Sequence, residues 1–155
     1  MRTFRFDKLV RDNIVPDMEK EGSVVTWRTL DESEYAEELA KKLEEELDEL
    51  DQEVGQDRLR DLKELADVAE VYETAWEVLD RDDHYELFES ATEELEKAID
   101  MWEIDPSELL EAKALKVQKA GSYVGRIFIE KVSVEPGNPW LEHYLTQPDK
   151  YPEIR

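Results

Sequence analysis

Residues 57–80 carry apolar side chains around most of a helical circumference, among them Leu59, Leu62, Leu65, Val68, Val71 and Ala75. A helix that is apolar nearly all round belongs at the centre of a bundle. At about 100° per residue, Glu64 and Asp67 fall on the side of Val68, Val71, Ala75 and Val78. Lys63, Glu70, Glu73 and Glu77 fall on another side. Acids embedded in an apolar face are costly unless paired or bound to a cation. Lys63 and Arg60 do not share their side. A divalent metal is therefore the expected partner, and a buried ion pair with lysines is the alternative.

The preceding helix supplies a second pair. It opens at Asp31, an N-cap residue with Glu34 placed to complete a capping box. Leu39, Leu43, Leu47, Leu50 and Val54 form its apolar stripe, and Gly55 stops it. Lys42, Glu46, Glu49 and Glu53 flank the stripe, while Glu44, Asp48 and Asp51 face the opposite, solvated side. Glu46 and Glu49, like Glu64 and Asp67, are three apart and share a helix face. Four such carboxylates are hard oxygen ligands, suited to Mg²⁺ or, as the alternative ion, Mn²⁺.

The rest of the chain is read more simply. Leu9, Val10, Ile14 and Met18 line a short helix interrupted by Pro16 and broken at Gly22. Val24–Trp27 is β-prone but short, and residues 126–134 are β-prone and extended. Asp83 with Glu86 restarts a helix whose stripe includes Tyr85, Phe88, Ala91 and Trp102, a packing helix without chemistry. Asp105, Pro106 and Glu108 open another that ends at Gly121. Residues 135–155 hold four prolines with Trp140, Tyr144 and Tyr151. That tail is too short to be a domain, and its aromatics are expected to dock on the body or on a partner subunit.

With 155 residues the chain makes one domain with short appendages. The 42 acids against 20 bases give a net charge of −22. Such a field repels nucleic acid backbones and anionic membranes, so neither is an expected partner. Adaptation to high salt is a second explanation of the acids, and composition leaves both open. Cysteine is absent, and His84 and His143 lie far apart, which disfavours thiolate and histidine metal sites. No apolar run reaches membrane-spanning length and the N-terminus has no apolar signal core, so the expected place is cytoplasmic. Bases gather in two islands, Arg2 to Arg11 and Lys113 to Lys131. Lys8, Arg11, Lys116 and Arg126 are candidate phosphate contacts, though lysines near a helix end also serve its dipole. Lys42, one turn before Glu46, is placed to pair with it or to reach a phosphate.

Written as motifs, Glu45-Glu46-Leu47-Asp48-Glu49 is EExxE and Glu64-Leu65-Ala66-Asp67 is ExxD, with fourteen residues between Glu49 and Glu64. The pair resembles the all-α nucleoside triphosphate pyrophosphatase superfamily, which includes the MazG-like and phosphoribosyl-ATP pyrophosphohydrolase proteins. Phe6–Ile14 and Lys119–Glu130 also resemble a MazG-like subgroup. The resemblance implies an all-α fold: an antiparallel helical bundle with short extended terminal segments, usually completed as a homodimer. The domain would span 1–132, with 82–104 as an inserted helix and 133–155 as an added tail. It implies Mg²⁺-dependent cleavage of a nucleotide between its α and β phosphates, releasing pyrophosphate and a monophosphate. Glu46, Glu49, Glu64 and Asp67 would be the metal ligands and Glu45 an acid–base residue. Phosphoribosyl-ATP hydrolysis is the close variant. A non-catalytic acidic helical interaction protein is the rival class.

Overall fold

The computed structural model describes residues 1–155. It contains six helices and a four-stranded antiparallel sheet, so the all-α expectation is corrected to a mixed α/β architecture. The chain divides into a sheet unit, residues 1–31 with 120–155, and a helical unit, residues 32–119.

The sheet unit runs β1 (Arg2–Val10), α1 (Ile14–Lys20), β2 (Val24–Thr29), then, after the helical unit, β3 (Ile127–Val134), α6 (Leu141–Leu145) and β4 (Glu153–Ile154). Strand order is β2-β3-β1-β4. Leu9 and Val10, expected in a helix with Ile14 and Met18, end the central strand instead. The reason is visible at Asp7, whose φ of +49° lies where the β1–β3 register shifts between Arg5 and Lys8. A bulge adds a residue and breaks strict alternation, which disguises a strand whose Phe4 and Leu9 are both buried. Pro16 does not interrupt α1, because it lies in the first turn, where no intrahelical N–H is needed. Residues 135–155 fold back on the sheet. Tyr144 and Tyr151 are buried with Phe4, Ile129, Val132 and Val134, and Arg2 makes two bonds to Glu153, at 2.9 and 2.7 Å.

The turn before α1 is clasped to residues 120–125. Asp12 and Asn13 donate their backbone N–H groups to the Ser122 and Ala120 carbonyls at 2.8 and 2.9 Å. The Asp12 carboxylate accepts from Gly125 N–H at 2.8 Å. A Cβ at position 125 would sit 2.5 Å from that oxygen and would push the carboxylate out of its present position.

The helical unit comprises α2 (Glu32–Glu53), α3 (Arg58–Val78), α4 (Tyr85–Trp102) and α5 (Pro106–Ala120, its last residue belonging to the sheet unit). Helix α2 begins directly after Asp31, and Leu39, Leu43, Leu47 and Leu50 are all buried. Asp57 caps α3 by accepting from Leu59 and Arg60 N–H at 2.9 and 3.3 Å. The expected capping box at Asp83 does not form. Asp80 holds that turn, accepting from Asp82 and Asp83 N–H at 3.0 Å each, and α4 starts after His84 without a side-chain cap. Asp105 caps α5 through Ser107 N–H at 2.9 Å. Arg58 ties the start of α3 to α5 by two bonds to Glu108, at 2.8 and 3.0 Å.

Candidate metal centre

The turn at 54–57 folds α3 back beside α2, and the paired acids lie at comparable distances on either side of it. One carboxylate oxygen each from Glu46, Glu49 and Glu64 lies within 4.8 Å of the other two. Oxygens on opposite sides of one divalent ion are roughly 4–5 Å apart, so these three flexible side chains can close on a single cation. All three are half-buried. The fourth expected ligand, Asp67, lies outside that trio, and its Oδ2 is 3.3 Å from Lys116 Nζ. Lys42 Nζ is 3.6 Å from Glu46 Oε1.

Electrostatics set this cluster apart from the surrounding acidic surface. The Glu46 carboxyl is pushed up to about 7. Burial is the main cause; Lys42 opposes it, and Glu49, Asp67 and Glu64 add to it. Burial also raises Glu64, with contributions from Asp67, Glu49 and Glu53 against Lys116. Carboxylates that resist ionising beside one another are what a bound cation would relieve. The donor set fits a hard divalent ion. It also contains the ion pairs expected as the alternative, but their lysines are Lys42 and Lys116 rather than Lys63 or Arg60.

A pH dependence follows. Folded Glu46 holds its proton more tightly than the unfolded chain does, so stability falls as pH rises from about 4.5 through about 7. Glu64 acts with the same sign. His143, lowered by burial, acts in the opposite sense below its usual 6.5. In EDTA, the urea midpoint should be lower at pH 8 than at pH 5.5, and Mg²⁺ should recover the difference at pH 8. A midpoint that rises with pH in EDTA would contradict this electrostatic account.

The other expected site residues are distributed as follows. Glu45 is half-buried on α2. Lys8 lies on β1 just past the bulge, and Arg126 precedes β3 with φ +54°. Arg11 is only 4 % exposed; its Nη1 donates to the Gly121 carbonyl at 3.0 Å and its guanidinium lies 5.2 Å from the centre of the Tyr123 ring. These three residues belong to the sheet unit, whereas the carboxylates, Lys42 and Lys116 belong to the helical unit. Beside Lys116, a cleft of about 470 Å³ opens between α3 and α5, with Leu59, Leu62, Ala66 and Leu115 as apolar walls and Lys63 and Lys119 at its edges.

One carboxylate escaped the sequence reading. Asp61 is 2 % exposed, and its Oδ2 accepts from Gly55 N–H at 2.7 Å and from the Trp102 indole at 2.6 Å. It shares a helical face with Leu65 and Val68, so the test that singled out Glu64 would also have found it. No helix is long and apolar enough to cross a membrane.

Compared with family models, with curated proteins and with solved structures, the chain matches none. The resemblance to the all-α nucleoside triphosphate pyrophosphatases does not stand: no family model supports it, and the four-stranded sheet departs from a purely helical, MazG-type fold.

Proposed function

We propose that the protein is a Mg²⁺-dependent nucleotide pyrophosphohydrolase acting in the cytoplasm. The observation that carries this reading is the convergence of Glu46, Glu49 and Glu64 from two helices onto one cation-sized space, with Asp67 and two lysines beside it. That geometry supports a divalent-cation site; the phosphate reaction is the part of the reading that only an assay of pyrophosphate release can test.

When bound, Mg²⁺ supplies positive charge to the phosphates and makes a coordinated water more acidic. The chain's own residues do the rest. Glu46, Glu49 and Glu64 hold the ion, and Asp67 completes the carboxylate wall. Lys116 pairs with Asp67 and lines the cleft, where it is in reach of an incoming phosphate. Lys63 and Lys119 also line the cleft, together with Glu108 and Glu111, while Leu59, Leu62 and Leu115 offer an apolar wall to the rest of the nucleotide. Glu45, half-buried on α2 next to Glu46, is the candidate acid–base residue.

The test is pyrophosphate release from a panel of canonical and modified nucleoside triphosphates, with phosphoribosyl-ATP included. Release that EDTA abolishes is the expected result and names the substrate. No release from any of them, at low and at molar salt, would overturn the reading. The rival, a non-catalytic interaction protein, draws support from apolar side chains left in solvent: Leu59 is 62 %, Leu110 66 % and Leu115 59 % exposed. A homodimer that covers those residues is compatible with either reading.

A further inference from the structure

A second cleft is lined by none of the carboxylates of the candidate metal centre. It measures about 350 Å³ and sits where the last turns of α3 meet the first turns of α4. Its walls are aromatic. Tyr72 and Trp76 stack with ring centres 6.0 Å apart and 18° between planes. Phe88 stands edge-on to both, at 5.7 and 5.1 Å, and Tyr85, 64 % exposed, forms the outer lip.

The charged groups around it are mostly acidic. Asp82, Glu89 and Glu93 line the rim, against a single base, Arg81. Inside, the Tyr72 hydroxyl is 3.3 Å from the Thr92 hydroxyl, which donates to the Phe88 carbonyl at 3.0 Å. A phosphate or carboxylate would meet like charge here. A ligand rich in N–H or O–H groups would find the interior hydroxyls already engaged. What suits the lining is a cation with an apolar skin, attracted by ring faces and by the carboxylate rim. The molecule already places such a group there: the Arg81 guanidinium lies 4.2 Å from the centre of the Trp76 ring.

We propose that this cleft binds a small methylated ammonium compound, and that Arg81 is an internal competitor for the aromatic surface. A quaternary ammonium has no N–H donors to leave unpaired in a cleft of this kind, and ring faces are its usual recognition surface. The inference is independent of the hydrolase reading, since it uses none of the metal-site residues.

The probe is choline, titrated into the full chain and followed by the indole N–H resonance of Trp76, assigned through its loss in Trp76→Phe. The expected result is a saturable shift with choline and with tetramethylammonium, but not with sodium at equal ionic strength. Arg81→Ala should tighten choline by about two- to fivefold, the size of an exposed cation–π contact. Tyr85→Ala, at an exposed position that the fold does not depend on, should weaken it by a similar factor. Absence of a saturable shift overturns the proposal, as does an affinity unchanged in Arg81→Ala. A shift produced only by a trimethyl-lysine peptide, with choline silent, would also overturn it and would reassign the cleft to a protein partner.

Discussion

Glu46→Gln is expected to remove metal-dependent pyrophosphate release while making the metal-free protein more stable. The two effects share a cause. Glu46 is 15 % exposed beside Lys42, and its carboxyl titrates at about 7 because burial and three neighbouring acids oppose its charge. Ionising it at pH 8 costs at most about 3 kcal/mol relative to an ordinary glutamate. Glutamine keeps the size and removes that cost, but leaves Lys42 without its i,i+4 partner, so a net gain of about 1–2 kcal/mol is the realistic figure. The catalytic loss is much larger. A neutral amide is a poor ligand for a hard cation, and loss of several kcal/mol of charge stabilisation is on the order of a thousandfold in rate. Thermal melts in EDTA, Mg²⁺ calorimetry and pyrophosphate release measure the three consequences separately. Activity retained in this variant would sink the site assignment. A lower melting point with weak Mg²⁺ binding in the wild type would mark Glu46 as a framework residue.

Asp61→Ala is expected to be strongly destabilising, on the scale of truncating a buried leucine. The carboxylate joins three elements at once: the end of α2 through Gly55, the start of α3 on which it lies, and the end of α4 through Trp102. Gly55 has φ +103°, so the chain leaves α2 in a conformation that needs an anchor. Removing the acceptor strands two donors, and each buried unsatisfied donor costs about 1–3 kcal/mol. A loss of about 3–5 kcal/mol is expected in urea denaturation. Asp61→Asn, which retains a carbonyl for both donors, should lose less than half of that. If Asp61→Ala behaves like a surface substitution, within about 0.5 kcal/mol, the three-way tie is not what holds these helix ends.

The four long helices were legible from their apolar periodicity and, in part, their punctuation. Asp105 caps, Gly55 and Gly121 stop, and leucines at helical period mark the buried side of α2, whereas the cap at Asp57 emerged only in the structure. The sheet was harder to see. Its central strand contains a bulge at Asp7, so Leu9 and Val10 joined Ile14 and Met18 in an apparent helical stripe. Nearly every residue of β2 is exposed, which removes the alternation that announces a half-buried strand. With the end of β1 read as helix, the short β-prone stretches at 24–27 and 126–134 were too little to set against the all-α fold that the motif resemblance implied.

At the site, spacing alone grouped the acids, because residues three apart on a helix must share a face. The pairing of Asp67 with Lys116 was out of reach, since it depends on how α5 lies against α3. The sequence search looked for a partner on α3 itself, at Lys63 and Arg60, and no periodicity along one helix reports on its neighbour. Asp61 was missed for a different reason. An acid in a first helical turn is so ordinary a companion of the dipole that its place on the apolar face went untested.

The discontinuity of the sheet unit also has a consequence in time. Strand β1 ends at Val10, whereas its partner β3 starts at Ile127. A ribosome adding roughly 5–20 residues each second needs on the order of ten seconds to bridge that gap. Throughout that interval the central strand has neither neighbour, while α2 and α3, adjacent in sequence, can meet as soon as both have emerged. The carboxylate cluster belongs to the part of the molecule that can assemble early, and the nascent sheet strand, with Phe4 and Leu9 still uncovered, to the part that a chaperone would have to shelter.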